Sequence, residues 1–272
     1  MILKTLRPCL MTGVLALSIL MTAGCAKKEE QAAPPVITPA ASEAPAQSSP
    51  MGMRRFMNYN GHRYAFLENG MAYDLTEEHI KEKLGMLSLS IMEDPGANGS
   101  KDFATTFAED GTVYSMTSYD PAFRIAVLSD DSYYICENVD TLDDSPVILT
   151  DYFKTAGFPE TADSLSISDH MGREELKNIS GKDMELLLEV LSRSEEAEFT
   201  DEEYQAMGKA QKNGESFYLS LNLKDGTAYR FYVIPSLGIS MFGDNRYRLP
   251  EDFDKKCSGF FSDLEQKPLP AQ

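Results

Sequence analysis

The main body of the chain alternates hydrophobic and polar residues between turns that contain glycine, a pattern typical of antiparallel strands. The first alternating runs lie around two Asn-Gly pairs, at 60–61 and 69–70. Asn-Gly favours tight hairpins because both central positions of such turns need a positive φ. The pattern therefore predicts a short antiparallel meander. Thr76 and Gly85 then have the residue types that begin and end a helix, which predicts a helix of about eight residues between them.

Two segments of the chain resemble each other in sequence. The segment from Asp110 to Tyr133 matches the segment from Asp225 to Tyr247 once a single one-residue gap is allowed. Each starts with Asp-Gly-Thr and continues through a proline and an aspartate to a tyrosine. Because such residues favour turns between strands, each segment predicts three strands joined by two turns. We therefore predict two related antiparallel β-meanders, with chance agreement of common turn residues as the alternative.

Hydrophobic residues between and after these segments recur at helical spacing. One stripe on the stretch 182–192 comprises Met184, Leu187, Leu188 and Leu191. Thr200 and Glu203 have the spacing of a capping box, and Pro250 suits the first turn of a last helix. Strands and helices occur in blocks, so the predicted fold class is α+β, with two related antiparallel β-meanders and packed helices.

The composition indicates a folded and strongly acidic protein. Hydrophobic residues make up 42% of the chain, which is enough for a hydrophobic core. The chain has 43 acidic and 25 basic residues, which gives a formal net charge of −18. A surface with this charge repels phosphate backbones, so no nucleic acid partner is expected.

The first 25 residues have a different pattern. Lys4 and Arg7 precede an apolar stretch at 9–21, and Cys25 follows after three small residues. About 16 apolar and small residues are too few for a membrane span, which needs about 20. The pattern therefore predicts a secretion signal that a peptidase removes. The alternatives are a retained membrane helix and a soluble secreted product.

The end of this signal carries a family resemblance. Thr22-Ala23-Gly24-Cys25 resembles the lipobox of bacterial lipoprotein precursors, with Thr22 at the position where leucine is usual. In that family the cysteine is acylated and becomes the first residue of the mature protein. The resemblance implies that Cys25 is lipidated and that the protein is anchored at the extracytoplasmic face of the cell membrane, or at the outer membrane in a two-membrane cell.

The chain after Cys25 predicts a linker before the folded part. Alanine, proline, serine and glutamine dominate up to residue 51, and few large apolar side chains are present to offset the entropy of ordering. The predicted divisions are a signal peptide at 1–24, the lipidated cysteine with a flexible linker at 25–52, a first α+β half at 53–165 and a second α+β half at 166–266. The alternative is that the two halves form one continuous domain.

Cys136 and Cys257 are the two cysteines of the predicted folded part. Two thiols outside the cytoplasm can form a disulfide, which is one prediction for this pair. Both residues also have the hydrophobic neighbours of core positions. The alternative is therefore two unpaired, buried thiols.

Motifs for catalysis or metal binding are not found in the sequence. The three histidines, at 62, 79 and 170, are far apart, and neither Gly-x-Ser-x-Gly nor His-Glu-x-x-His occurs. We therefore predict no catalytic residue, no metal site and no cofactor.

Tyrosines on the predicted strands indicate a binding surface, because tyrosine combines a rigid contact area with a polar tip. The candidate ligand face comprises Tyr133, Tyr134, Tyr218 and Tyr232. We predict a non-enzymatic binding or sensing role, with contact to an envelope protein or a peptide-like ligand and to the membrane through the lipid anchor. An envelope hydrolase with an unrecognised active site is the alternative.

Overall fold

Two β-sheets form most of the folded part of the protein. The computed structural model describes residues 34–40, 54–91, 93–107, 110–243, 245–264 and 266. Cys25, the predicted signal peptide at 1–24 and most of the predicted linker lie outside the described residues. Among the helices that the structure describes, none has the length and hydrophobicity needed to cross a membrane.

The first sheet curls around a hydrophobic cluster of its own. Its strands are β1 (Phe56–Tyr59), β2 (His62–Phe66), β3 (Ala72–Tyr73), β4 (Ile80–Met86), β5 (Leu89–Ser90), β6 (Ala104–Thr105), β7 (Thr112–Met116), β8 (Arg124–Ser129) and β9 (Ser132–Thr141). They are ordered β4-β7-β8-β9-β2-β1-β6-β5, and β3 pairs with a further part of β9. Strands β5 and β6 are parallel, and the other pairs are antiparallel.

The second sheet is antiparallel throughout and carries the longer helices. Its strands are β10 (Ala162–Ser168), β11 (Glu175–Ile179), β12 (Glu195–Glu196), β13 (Phe217–Leu223), β14 (Ala228–Ile234), β15 (Ile239–Phe242) and β16 (Asn245–Arg248), ordered β11-β10-β13-β14-β15-β16-β12. The helices are α1 (Pro95–Asn98), α2 (Leu149–Ala156), α3 (Gly181–Ser192), α4 (Asp201–Asn213) and α5 (Phe253–Cys257).

The predicted α+β class is wrong, because the described domain is largely β. The predicted helix after Thr76 shows why. The backbone N–H of Thr76 donates to Nδ1 of His79, and the chain makes a turn at 77–79. From Ile80 the backbone pairs with β7 as strand β4. Strand pairing therefore overrides the local helix signals of the sequence.

Other local predictions are confirmed in part. The chain reverses at Asn60 and Gly61, whose φ values are 50° and 76°, and the flanking strands β1 and β2 pair as a hairpin. The predicted meander does not continue through Asn69 and Gly70, because β2 and β3 both pair with β9 instead of with each other. The stripe predicted for α3 is buried, and Thr200 and Glu203 form the capping box that begins α4.

The two matching segments each form an antiparallel meander, β7-β8-β9 and β14-β15-β16. Their surroundings differ. The turn at Asp225 and Gly226 joins β13 to β14, whereas β7, which follows Asp110 and Gly111, has β4 as its other neighbour. In the part of the chain that the structure describes, the predicted internal repeat is not shown.

The two sheets share one hydrophobic core. One cluster contains Phe123 and Ile135 of the first sheet, Leu165 and Tyr229 of the second sheet, and Leu187 of α3. The predicted boundary at 165/166 falls inside strand β10. The two predicted halves therefore share one hydrophobic core, and strand β10 belongs to both of them.

Part of the predicted flexible linker lies against both sheets. We call residues 34–40 the strap. The N–H of Ile37 donates to the carbonyl of Asp225 in the second sheet, at 2.5 Å, and the N–H of Ala40 donates to the carbonyl of Ala72 in the first sheet, at 2.9 Å. The side chain of Ile37 is only 3% exposed and belongs to the shared core. Over these seven residues the chain is an ordered connection between the sheets.

Candidate functional site

The structure does not bring the four candidate tyrosines together. Tyr133 and Tyr134 are consecutive on β9, and consecutive strand residues point to opposite faces of a sheet. Tyr134 is buried in the cluster of the first sheet, where its ring lies 4.7 Å from that of Phe107. Tyr133 contacts Tyr114 on the other face, with ring centroids 6.5 Å apart. The predicted ligand face is therefore reduced to its other two members.

Tyr218 and Tyr232 form a pair on the outer face of the second sheet, opposite to the helices α2, α3 and α5. They lie directly across from each other on β13 and β14, with ring centroids 4.9 Å apart and planes at 61°. Burial, followed by the neighbouring Tyr232, raises the pKa of Tyr218 to about 12, and burial raises the pKa of Tyr232 above its ordinary value. Both hydroxyl groups therefore stay protonated at physiological pH and can donate hydrogen bonds.

Small polar side chains extend this pair across the sheet. The Nδ2 group of Asn222 donates to Ser164 Oγ at 3.0 Å and to Ser166 Oγ at 3.1 Å, and Nδ2 of Asn178 also donates to Ser166 Oγ, at 3.0 Å. We define the tyrosine face as the outer residues Ser164, Ser166, Ser168, Tyr218, Ser220, Asn222, Arg230 and Tyr232. These contacts hold the amide group of Asn222 and the hydroxyl groups of Ser164 and Ser166 in fixed positions.

Two elements border the tyrosine pair. At one side, Gly172 of the β10–β11 connection lies against Tyr218, so close that a Cβ atom at position 172 would stand 2.7 Å from the ring. At the other side, Met241 is paired with Tyr232 and packs against the cluster formed with Met207 of α4. The tyrosine pair therefore lies between a hairpin and a helix.

A polar network joins the two sheets beneath the strap. The guanidinium of Arg124 is fully buried and donates to Oε2 of Glu137, at 2.9 Å from Nε and 2.6 Å from Nη2. It also donates to Thr227 Oγ1 at 2.6 Å and to the carbonyl of Ala228 at 3.0 Å. Burial alone would lower the pKa of Arg124, but the Glu137 carboxylate raises it above its ordinary value. Burial raises the pKa of Glu137, and the contact with Arg124 opposes this shift. The charged guanidinium connects β8 and β9 to β14.

A cavity of about 760 Å³ lies beside this network. Its wall includes Ile37 and Pro39 of the strap, Glu137 of the network, and charged residues from both sheets, namely Arg54, Glu68 and Arg230. Arg230 and Glu68 form an ion pair across the two sheets. Acidic and basic side chains are thus both present at the mouth of this cavity.

The histidines are far apart in the structure as well as in the sequence. Nδ1 of His62 lies 3.3 Å from Nδ2 of Asn138, and Nδ1 of His79 contacts Thr76. His170 contacts Gln266 through its backbone N–H. Within the described part of the chain, no group of three histidine, cysteine, aspartate or glutamate residues is placed to hold a metal ion.

Cys136 and Cys257 do not form a disulfide in the structure. Both thiols are free and fully buried, Cys136 in the cluster of the first sheet and Cys257 in the shared core. Burial raises the pKa of Cys257 to about 11 and holds that of Cys136 well above its ordinary value. Neither cysteine therefore carries a reactive thiolate at neutral pH.

We expect both thiols to react with iodoacetamide at pH 8 at least about a hundredfold more slowly in the folded protein than in urea. Burial blocks the access of the reagent and also keeps the thiols protonated. Mass spectrometry of the two cysteine peptides measures each rate. The protonated thiol of Cys257 stabilises the fold at neutral pH, and that contribution is lost as the pH rises from about 9 to about 11. Rapid labelling of either cysteine, or a linked pair of peptides, would contradict the buried free thiols.

The signal for the tyrosine face was present in the sequence in part. Residues 217–223 read Phe-Tyr-Leu-Ser-Leu-Asn-Leu, which places one tyrosine, one serine and one asparagine on the same side of a strand. Serine and asparagine belong to no motif, so sequence reasoning missed their contribution.

No family model, no curated protein and no solved structure matches the chain.

Proposed function

We propose that this chain is a lipid-anchored, extracytoplasmic binding protein that contacts an exposed segment of an envelope protein through the tyrosine face. The observation that carries the proposal is the Tyr218–Tyr232 pair, with its half-buried rings and its protonated hydroxyl groups among ordered polar side chains. Rigid tyrosines lose little conformational entropy on binding and supply both apolar and hydrogen-bonding contacts.

The shape and charge of the tyrosine face support a polypeptide partner. The centre of the face consists of hydroxyl and amide groups, and its charged member, Arg230, is already paired with Glu68. Such a surface matches the polar, uncharged groups of a polypeptide better than it matches a highly charged ligand. Arg230 is the residue that the tyrosine face shares with the lining of the cavity beneath the strap. The tyrosine face itself is a sheet surface bordered by two elements, which suits an extended protein contact.

The lipid anchor rests on the sequence alone. The apolar stretch before Cys25 and the lipobox resemblance support it, and both lie outside the described residues. The experiment on the tyrosine face therefore uses the full-length precursor expressed in cells, so that any processing at Cys25 takes place.

The tyrosine pair is expected to dominate binding. We expect Tyr232→Ala to weaken the affinity for the partner about tenfold or more, because central aromatic residues commonly contribute more than about 1.4 kcal/mol to an interface. A photo-crosslinking amino acid at Ser220, two residues after Tyr218 on β13, identifies the protein in contact with the face. Titration of the purified partner then gives the affinity of each variant.

Tyr204→Ala is the matched control, because Tyr204 is 43% exposed and lies on α4, outside the tyrosine face. It should leave the affinity unchanged, and circular dichroism should show that both variants are folded at the temperature of the titration. Equal affinities for the parent and Tyr232→Ala would contradict the proposal. If no partner is found and the protein hydrolyses cell-wall fragments, the enzymatic alternative would replace the proposed binding function.

A further inference from the structure

Apolar side chains are exposed at the end of the molecule that carries the strap. Val36 is 65% exposed and Met71 is 43% exposed. Met71 lines the cavity beneath the strap, and a side-chain carbon of Val36 lies 3.3 Å from the Cβ position of Gly226, which lines the same cavity. The two side chains therefore border one surface, whereas the other described exposed residues of this kind, Met86, Ile148, Met171 and Tyr204, belong to other elements.

Two arginines lie on the same surface. Arg54 and Arg230 both line the cavity, and the side chain of Arg230 is 43% exposed although it is paired with Glu68. The acidic residues that line this cavity, Glu68 and Glu137, are paired with Arg230 and Arg124, so the surface lacks the acidic excess of a chain whose formal net charge is −18. We call the surface formed by Val36, Met71, Arg54 and Arg230 the strap end; it meets the tyrosine face at Arg230. Exposed apolar groups combined with arginine are the features that contact a lipid surface.

The length of chain before the strap limits how far this end can lie from the anchor. Pro34 stands nine positions after Cys25, and nine residues extend at most about 30 Å. If Cys25 carries the lipid, the strap end is held near the bilayer. The acidic remainder of the surface is repelled by anionic headgroups, which favours an orientation with the strap end towards the lipid.

We propose that the strap end is a membrane-contact surface that docks the domain on anionic phospholipid headgroups, with Val36 and Met71 at the interface and the arginines near lipid phosphates. The inference rests on the lipid anchor of the proposed function and adds the orientation of the domain. In this orientation the opposite end of the second sheet points away from the bilayer. That end carries the connection 169–174, which follows β10.

Met171 supplies the matched control for this orientation. Ser168 pairs with Tyr218, whereas the turn beside the strap follows Leu223, so the two ends of β13 are separated by about 17 Å of strand. Met171 is 49% exposed and belongs to the far connection. Because Cys136 and Cys257 are buried, a single new cysteine at position 36 or 171 can be labelled selectively.

The experiment compares Val36→Cys and Met171→Cys in the mature lipidated protein. Each carries the same fluorophore and is reconstituted into phosphatidylethanolamine–phosphatidylglycerol vesicles that contain a nitroxide quencher at the headgroup. We expect quenching at position 36 to exceed quenching at position 171 at least about twofold, since a surface that lies in the interface enters it by about 5–10 Å. Equal quenching, or stronger quenching at position 171, would overturn the orientation.

Flotation of the vesicles separates the two hypotheses. The parent should float with the vesicles, and a chain that starts at Ala26, without the apolar stretch and without Cys25, should not. Flotation of the parent without a difference in quenching would leave the anchor intact and reject the docking surface. A parent protein that neither floats nor carries an acyl mass would reject both.

Discussion

Replacement of Arg124 by methionine is expected to lower the free energy of unfolding by about 3–5 kcal/mol. The substitution leaves the Glu137 carboxylate, 8% exposed, without the cation that contacts it through two nitrogen atoms. Thr227 Oγ1 and the carbonyl of Ala228 lose their donors as well. Urea denaturation at pH 7, with the parent and the variant measured at the same protein concentration, gives the difference.

A double variant separates the cost of an unpaired charge from the loss of packing. In Arg124→Met with Glu137→Leu, neither member of this ion pair remains, and replacing both members of a buried ion pair by apolar residues is often close to neutral. The buried side chain of Asp225 keeps its hydrogen bonds from Tyr119 and Thr227. We expect the double variant to recover at least half of the lost stability. Arg193→Met is the surface control, because Arg193 pairs with Asp252 at an exposed position, and its unfolding midpoint should match that of the parent. A parent-like Arg124→Met variant would show that the network does not hold the sheets together.

Sequence reasoning could not identify this network, because its members are distant along the chain. Arg124 is separated from Thr227 by 103 residues, and nothing local distinguishes it from a surface arginine. The tertiary structure places β8 beside β14 and buries Arg124 between them. Only this burial makes the ion pair of Arg124 important for stability. Interactions that depend on such long-range contacts leave no pattern of the kind that predicts a hairpin or a helix cap.

Local patterns predicted local structure well and the fold class poorly. The hairpin at Asn60 and the capping box at Thr200 follow from a few consecutive residues, and both are present. The helix expected after Thr76 failed because β7 offers hydrogen-bond partners that a local pattern cannot reveal. The strap was missed for a related reason, since its proline-rich composition is typical of a linker and one buried isoleucine decides its position.

The candidate site was predicted to the extent that it follows from alternation. Tyr218 and Tyr232 were identified because they lie on strands, but their pairing depends on the register of β13 against β14. Tyr134 was assigned to the same face although its neighbour Tyr133 must point the other way. Alternation within one strand thus predicts which residues share a side, whereas the relation between strands requires the structure.

Replacement of Ile37 by alanine is expected to detach the strap and to lower the free energy of unfolding by about 2–5 kcal/mol, the usual range for truncating a buried isoleucine. The side chain lies in the shared core, and the strap makes backbone hydrogen bonds to both sheets. Hydrogen exchange gives a local readout, because the N–H groups of Ile37 and Ala40 should exchange faster in the variant, together with that of Asp74, which donates to Thr38. Val36→Ala is the neighbouring control; Val36 is 65% exposed, and its loss should change stability by no more than about 0.5 kcal/mol. If Ile37→Ala and Val36→Ala behaved alike in both measurements, the strap would be a peripheral contact, and the sheets would be joined by their shared core and the Arg124 network without it.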